Sequence, residues 1–188
     1  MIEEIDFLAA VKKFYSNRAS FFQDNYNRLV SFGDMVSDRW EKARLLGFGE
    51  GTSIYDSALV QGNVSVGERT WIGPQVILDG LRAALSIGSH CSISAGVQIY
   101  THDSVGWTIT GGKQTHAVAP TTIGNNVFIG PNTVVGKGVT IGNHVIIGTH
   151  SYVNASLPDY AVAWGQPAKI KGKVVLNEDG EAFEINYN

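Results

Sequence analysis

The chain has 188 residues, of which 44% are hydrophobic and 16% charged, enough for one domain with a sizeable core. Its net charge of -3 leaves no basic face for nucleic-acid phosphates or anionic lipid heads, which argues against both partners. No apolar run reaches the ~20 residues that span a bilayer, and the first residues lack the basic region of a signal peptide. The single cysteine, Cys91, is typical of a reducing compartment, so we expect a cytoplasmic protein.

Residues 1–47 have helical periodicity. Their apolar residues predict two or three helices, with Ser31 or Asp34 as an N-cap and Gly47 as a C-terminal stop. We expect this segment to cover the open end of the domain that follows, and a role in substrate binding is the alternative.

A six-residue repeat occupies residues 48–173. An aliphatic residue recurs every six positions from Ile54, often followed by Gly, among 22 glycines in all. A period of six fits neither a helix nor a simple alternating strand, but it fits a short strand followed by a tight turn. Three such units close a triangular coil of ~18 residues with the aliphatic side chains inside, and parallel stacking of coils satisfies the backbone hydrogen bonds.

Assigning the repeats to three faces in turn predicts which aliphatic residues stack. The first face takes Ile54, Ile72, Ile93, Ile129 and Ile147, and the second takes Val60, Leu78, Ile99, Val135 and Val153. This assignment requires a small bulge around residues 80–85 and a long inserted loop at residues 103–121. An insertion of that length in a regular solenoid is more often functional than accidental.

Two further positions complete the prediction for the repeat domain. Lys137 falls at an outer turn, and we expect it to contribute little to stability. Beyond Pro158 the repeat decays, and residues 174–188 predict a short tail with strand character.

Three motifs carry a resemblance to a known family. They are Ile99-Tyr100-Thr101-His102-Asp103, then Ile123-Gly-Asn-Asn-Val-Phe-Ile-Gly-Pro after the loop, and Trp164-Gly-Gln-Pro-Ala-Lys169. Over roughly residues 51–173 the chain resembles the hexapeptide-repeat acetyltransferases of the galactoside, maltose and xenobiotic type, especially the sugar acetyltransferases of bacterial surface-polysaccharide pathways.

The resemblance implies an all-β, left-handed parallel β-helix with an N-terminal α-helical cap. It also implies a homotrimer with its sites between subunits, acetyl-CoA as cosubstrate, and no metal. The reaction implied is acetyl transfer to a hydroxyl or amino group of a sugar or sugar nucleotide.

By that resemblance His102 is the general base, because the acceptor must lose a proton as it attacks the thioester and imidazole titrates near neutral pH. A solvated turn histidine is the alternative. Asp103 either orients the imidazole or caps the loop. Asp79 is a candidate for binding a sugar hydroxyl, or it forms an Asp-Gly turn. Trp107 stacks on the sugar or anchors the loop.

The resemblance also places the cofactor. In this family the pantetheine arm lies between neighbouring prisms against stacked turns, which here match Gly130, Pro131, Gly148 and Thr149. At the nucleotide end, Asn154 and Ala155 replace a Thr-Lys pair, so a cation near phosphate is lost. Trp164 is a candidate for stacking on adenine, and the missing cation can come from Lys169, Lys171 or Lys173.

Two other functions remain open: an acyl-CoA transferase with a non-sugar acceptor such as an antibiotic, and a non-catalytic β-helix scaffold. His102 at the mouth of a long loop favours an enzyme. Zinc hydration chemistry of the kind found in the γ-class carbonic anhydrases, which share this fold, is disfavoured. His144 and His150 fall on different faces, and the chain lacks that family's pair of histidines five apart. Cys91 occupies a small inward position, where it fills the core.

Overall fold

A computed structural model describes residues 4–187, so the helical prediction for residues 1–3 and the strand prediction for Asn188 lie outside the described residues. Three helices occur in the segment predicted to be helical. They are α1 (Glu4–Tyr26), α2 (Phe32–Val36) and α3 (Arg39–Leu45). In this part of the chain no helix is both long and apolar enough to cross a membrane.

The helix caps differ from those predicted. Ser31 precedes α2, but its hydroxyl donates to the Asp34 carboxylate at 2.7 Å instead of capping the helix. The N-cap with side-chain hydrogen bonds is Asp38, whose carboxylate accepts from two backbone N–H groups at the start of α3. Gly47 follows α3 with φ +72°, as expected for a helix stop.

Helix α3 covers the first coil of the repeat domain. Ala43 joins the buried core, and the Lys42 ammonium donates to the carbonyl oxygens of Tyr55, Asp56 and Ala58 at 2.7–3.2 Å. Helix α1 packs mainly against α2 and keeps many large apolar side chains exposed. The covering role predicted for the N-terminal segment therefore falls to α3.

The repeat domain and tail consist of short strands. They are β1 (Ser53–Ile54), β2 (Leu59–Val66), β3 (Trp71–Ile72), β4 (Ile77–Ile87), β5 (Ser92–Ile93), β6 (Gln98–Ile99), β7 (His102–Asp103), β8 (Ala117–Val118), β9 (Thr121–Ile123), β10 (Phe128–Ile129), β11 (Val134–Val135), β12 (Thr140–Ile141), β13 (Ile146–Ile147), β14 (Tyr152–Val153), β15 (Ala161–Gly165), β16 (Ala168–Leu176) and β17 (Phe183–Tyr187). A fourth helix, α4 (Val105–Ile109), lies between β7 and β8.

The strands stack in parallel into a three-sided β-solenoid. On the first face β1, β3, β5, β10, β13 and β15 follow one another, giving six stacked coils. The inward residues pair in register on both predicted faces, and all but the half-buried Val60 are buried. The third face stacks Val66, Ile87, Ile123 and Ile141, with a bridge to Leu157. The predicted β-solenoid and its register are confirmed.

Both predicted interruptions of the repeat are present. Strand β4 runs through a corner of the triangle, and its pairing with β2 jumps from Gly62↔Gly80 to Val64↔Leu85, so residues 81–84 protrude. The second interruption is folded: β7 and β8 form an antiparallel pair, with α4 between them. At the far end β15 pairs with β16, and β16 with β17, in antiparallel fashion.

Candidate active site

The long loop leaves and rejoins the solenoid at two buried threonines. Thr101 donates its hydroxyl proton to the carbonyl oxygen of Asp79 at 2.9 Å, and Thr121 donates to that of Tyr100 at 2.8 Å. The backbone N–H of Ala119 donates to Thr101 O, which closes the base of the loop. These hydrogen bonds to the solenoid therefore fix the position of His102, which follows Thr101 at the start of the loop.

Asp103 holds the loop in place. One carboxylate oxygen accepts from the Val105 N–H at 3.0 Å, and the other forms an ion pair with Lys137. The hydrogen bond from Lys137, with that from Val105, keeps the pKa of Asp103 below its ordinary value. These contacts correspond to the role in which Asp103 caps the loop, rather than to the role in which it orients the His102 imidazole. Lys137 lies at an outer turn as predicted, but it also ties the loop to a neighbouring coil.

His102 faces a buried carboxylate. Its Nδ1 atom is buried and lies 3.2 Å from Oδ2 of Asp79, while the whole side chain is 21% exposed. The two atoms are within ion-pair distance but lack the alignment of a hydrogen bond, so Nδ1 has no hydrogen-bond partner among the described residues. Catalytic hydrogen bonds are often poorly aligned before substrate binds. Because Nδ1 is turned inward, Nε2 is the nitrogen available to a substrate.

Asp79 was predicted as an acceptor-binding residue, and the structure places it on β4 with only 7% of its side chain exposed. Its other carboxylate oxygen accepts from the Leu81 N–H at 3.0 Å, a local turn contact of the kind considered in the sequence analysis. Burial, and then the nearby Asp79 charge, raise the pKa of Tyr100. One carboxylate oxygen of Asp79 is thus used by the local turn, and the other is the atom that lies next to the His102 imidazole.

Trp107 lies on α4 and lines an open pocket of about 530 Å³ beside His102. Its ring stacks on that of His116 with a centroid distance of 6.1 Å, and the His116 ring is 6.3 Å from that of His102. Arg82, from the protruding part of β4, and Lys113 line the same pocket. Among the described residues neither forms an ion pair. The pocket therefore combines an aromatic surface with two free cations.

The residues predicted to hold pantetheine lie in two stacked turns. The backbone N–H of Gly130 donates to Ile147 O in the next coil, and the Thr149 hydroxyl donates to Pro131 O at 2.8 Å. Pro131 and Thr149 are exposed, and a Cβ on Gly130 would lie 2.6 Å from the Thr149 nitrogen. These turns are close enough for their backbone groups to line one narrow strip of surface.

Gly148 has a structural reason to be glycine. A Cβ there would lie 2.7 Å from the Cβ of Trp164, so a larger residue would disturb the last coils. Trp164 pairs across the β15–β16 hairpin with Lys169, and both side chains are exposed. The structure therefore brings Gly148, Trp164 and Lys169 together.

The candidate residues occupy two corners of the triangle. The turns with Gly130 and Gly148 lie between the first and second faces. His102, its loop and Asn154 lie at the opposite end of the second face, one side of the triangle away. One chain thus presents the turns with Gly130 and Gly148 at one edge of the prism and the predicted base at another, and Asn154, also predicted to bind the cofactor, lies at the edge of the base.

Two other predictions concern metal and thiol chemistry. Within residues 6–187 no three His, Cys, Asp or Glu side chains are grouped so that they could hold a metal ion. Cys91 is buried at its inward position, and desolvation raises the pKa of its thiol, which keeps it in the unreactive protonated form.

The stacked turns define the chain as a hexapeptide-repeat β-solenoid. Residues 120–155 match the family described as bacterial transferase hexapeptide (six repeats). A comparison with curated proteins gives no match.

Three solved structures have similar folds. AntD, an N-acyltransferase from Bacillus cereus in complex with dTDP and 3-hydroxybutyryl-CoA, matches with a TM-score of 0.60 and 24% identity over 65% of this chain and 69% of that chain. A variant of AntD in complex with dTDP-4-amino-4,6-dideoxyglucose and coenzyme A matches with a TM-score of 0.59 and 20% identity over 69% of this chain and 86% of that chain. A hexapeptide-repeat acetyltransferase from Vibrio cholerae O1 biovar eltor, complexed with acetyl coenzyme A, matches with a TM-score of 0.53 and 22% identity over 86% of this chain and 87% of that chain.

These matches confirm the resemblance in fold to the hexapeptide-repeat acyltransferases. Each of the three neighbours is an acyl- or acetyltransferase with coenzyme A or an acyl-coenzyme A bound.

Proposed function

We propose that this protein transfers an acetyl group from acetyl-CoA to a hydroxyl or amino group of a sugar or sugar nucleotide. The observation that carries the proposal is the buried Asp79 carboxylate 3.2 Å from Nδ1 of His102, whose ring lies 6.3 Å from that of His116 in an aromatic and cationic pocket. A scaffold protein needs neither the pairing nor the pocket. The proposed compartment is the cytoplasm, which agrees with an unpaired cysteine thiol.

The proposed chemistry follows from the two nitrogens of His102. Asp79 faces Nδ1 and stabilises the imidazolium that forms when Nε2 accepts the proton of the acceptor O–H or N–H. The acceptor oxygen or nitrogen bonds to the thioester carbonyl carbon, the C–S bond breaks, and Nε2 gives its proton to the sulfur, so coenzyme A leaves as the thiol and His102 is neutral again. Asp79 acts in this scheme as a positioning residue, in place of the acceptor-binding role first predicted from the sequence.

The acceptor site is assigned to the pocket around Trp107. Aromatic faces bind the apolar faces of sugar rings, and the Trp107–His116 stack offers such a surface next to His102. The Arg82 and Lys113 charges favour an acceptor with phosphate groups. A sugar nucleotide meets both conditions, and the AntD structures with dTDP and a dTDP-sugar support this substrate class.

The test is an acceptor screen with acetyl-CoA against free sugars and nucleotide sugars, read out by thiol release and by the mass of the product. Because one AntD structure holds 3-hydroxybutyryl-CoA, that donor belongs in the same screen. Acetylated nucleotide sugar is the expected product. Thiol release with no sugar acceptor but with an aminoglycoside would favour the antibiotic alternative, and no release with any donor would favour a scaffold.

We also propose that the active unit is a homotrimer. The base and the cofactor turns lie at separate corners of one prism, and three copies around an axis would bring one corner of each chain against the other corner of its neighbour. Analytical ultracentrifugation should therefore give three times the chain mass at micromolar concentration. A stable monomer that is fully active would contradict this arrangement.

Trp164 is expected to stack on the adenine of coenzyme A, with Lys169 beside it supplying the positive charge. Replacing Trp164 by Ala keeps the Cβ that meets Gly148 and removes the ring, so coenzyme A should bind about 5- to 50-fold more weakly by calorimetry while the fold survives.

Tyr187→Ala is the matched control for this prediction. This variant removes the ring that packs edge-on against Trp164, with a centroid distance of 6.1 Å, but leaves Trp164 itself. The affinity for coenzyme A should therefore change little. Equal affinity in Trp164→Ala and the wild type would place the nucleotide elsewhere.

A further inference from the structure

A second pocket lies in the helical cap, away from His102. It has a volume of about 300 Å³, at the lower end of the range for small-molecule sites, and it lies among α1, α2 and the start of α3. Three arginines line it: Arg18, Arg28 and Arg39. Nothing in the proposed transfer reaction uses them.

Each of the three guanidinium groups lies over aromatic rings. Arg18 is 5.0 Å from the ring centroid of Phe21, Arg28 is 5.1 Å from that of Tyr26, and Arg39 is 4.7 Å from that of Tyr55. Such contacts hold a guanidinium plane in place without using its N–H donors. All three side chains are half-buried, so their charges are only partly hydrated.

These charges are not neutralised within the described part of the protein. Among residues 6–187 none of the three arginines is within ion-pair distance of a carboxylate. The two acids that line the pocket are used elsewhere: Asp34 accepts from the Ser31 hydroxyl and the Asp56 N–H, and Asp38 caps α3.

The hydrogen-bond donors are also incompletely used. Nε of Arg18 donates to Met35 O at 2.9 Å, whereas Nε of Arg28 is buried and has no partner. A buried donor without a partner is costly in a folded protein, so its presence in a cationic pocket indicates a missing acceptor.

We propose that this pocket binds a small molecule through a phosphate group. Three guanidinium forks offer more N–H donors than the two oxygens of a carboxylate can accept, whereas the three outer oxygens of a phosphate monoester or diphosphate match them. The aromatic rings beneath the arginines exclude water from one side and strengthen each charged contact. The site is distinct from the candidate active site, and its occupancy requires no acetyl transfer.

The test is calorimetric titration of the full-length protein with inorganic pyrophosphate, without coenzyme A, whose own phosphate groups would compete for the pocket. We expect one site per chain, with affinity at least tenfold weaker in Arg28→Gln and in Arg39→Gln. Arg44→Gln, which alters an exposed arginine paired with Glu41 outside the pocket, should bind as the wild type does. Two variants are used because either one alone could disturb the cap, and circular dichroism reports whether each is folded.

Three results would overturn the proposal. The first is no binding of pyrophosphate by the wild type at millimolar concentration. The second is unchanged affinity in folded Arg28→Gln and Arg39→Gln proteins. The third is equal affinity for malonate, which would show that the pocket does not select phosphate. Failure of the acceptor screen would not affect any of these measurements.

Discussion

His102→Ala is expected to lower the turnover number by ~10² to 10⁴, which corresponds to ~3 to 5 kcal/mol of barrier, because the acceptor loses the base that takes its proton. The wild-type rate should also fall as the pH drops, since a protonated imidazole cannot accept a proton. Coenzyme A affinity should be unchanged, because the proposed cofactor contacts are made by other residues. Steady-state kinetics and calorimetry measure the two quantities.

His150→Ala is the matched control, since His150 is exposed at a turn away from the loop and should be dispensable. His116 is a poorer control, although its sequence suggests a plain surface residue, because its ring stacks on Trp107 and lies close to His102. Wild-type turnover in His102→Ala, with loss of activity in His150→Ala, would contradict the proposed base.

Asp79→Asn separates a positioning role from a merely structural one. The carboxylate beside Nδ1 stabilises the positive charge that forms on the ring as the acceptor loses its proton, so its removal should lower kcat and leave the KM for the acceptor unchanged. The double variant with His102→Ala should be no slower than His102→Ala alone, because the two residues act as a unit.

Ile147→Asp is expected to cause the largest loss of stability. Ile147 is fully buried and stacked between Ile129 and Ala163, so an aspartate there would bury an unpaired charge. The expected cost is roughly 4 kcal/mol or more. For a chain of this size the melting temperature should fall by more than about 8 °C, or the protein should fail to fold.

Thr140→Asp provides the comparison for Ile147→Asp. Thr140 is exposed on β12, immediately before the buried Ile141, so the same charge placed there stays in water. Lys137, an outer-turn residue first expected to matter little, is unsuitable because of its ion pair with Asp103. Equal melting of the two aspartate variants would show that the inward register is wrong.

The register of the solenoid was predictable because a single number, the period of six, decides both where each strand turns and which residue points inward. Ile54, Ile72 and Ile93 stack as expected, even though a protruding segment separates the last two. The place of the long loop followed from the same period, since the repeat is interrupted there and resumes in phase at Ile123.

The contacts within the site were less predictable, because they join side chains from different coils. The Asp103–Lys137 pair spans 34 residues, and nothing local distinguishes it from the alternative in which Asp103 orients His102. The Asp79–His102 contact depends on β4 running straight through a corner, which a regular repeat does not predict. In the sequence Gly148 looks like every other turn glycine, and its contact with Trp164 is evident only in the structure.

The covering of the first coil by α3 has a consequence for assembly. A parallel solenoid ends in strands with unpaired N–H and C=O groups, and such edges can recruit further chains into a growing fibre. Lys42 engages three carbonyl oxygens at one end, and the antiparallel β15–β16–β17 hairpins reverse the strand direction at the other. A second solenoid therefore cannot continue the first face in parallel at that end, and at the other end α3 stands in its way, which disfavours polymerisation along the axis of the solenoid.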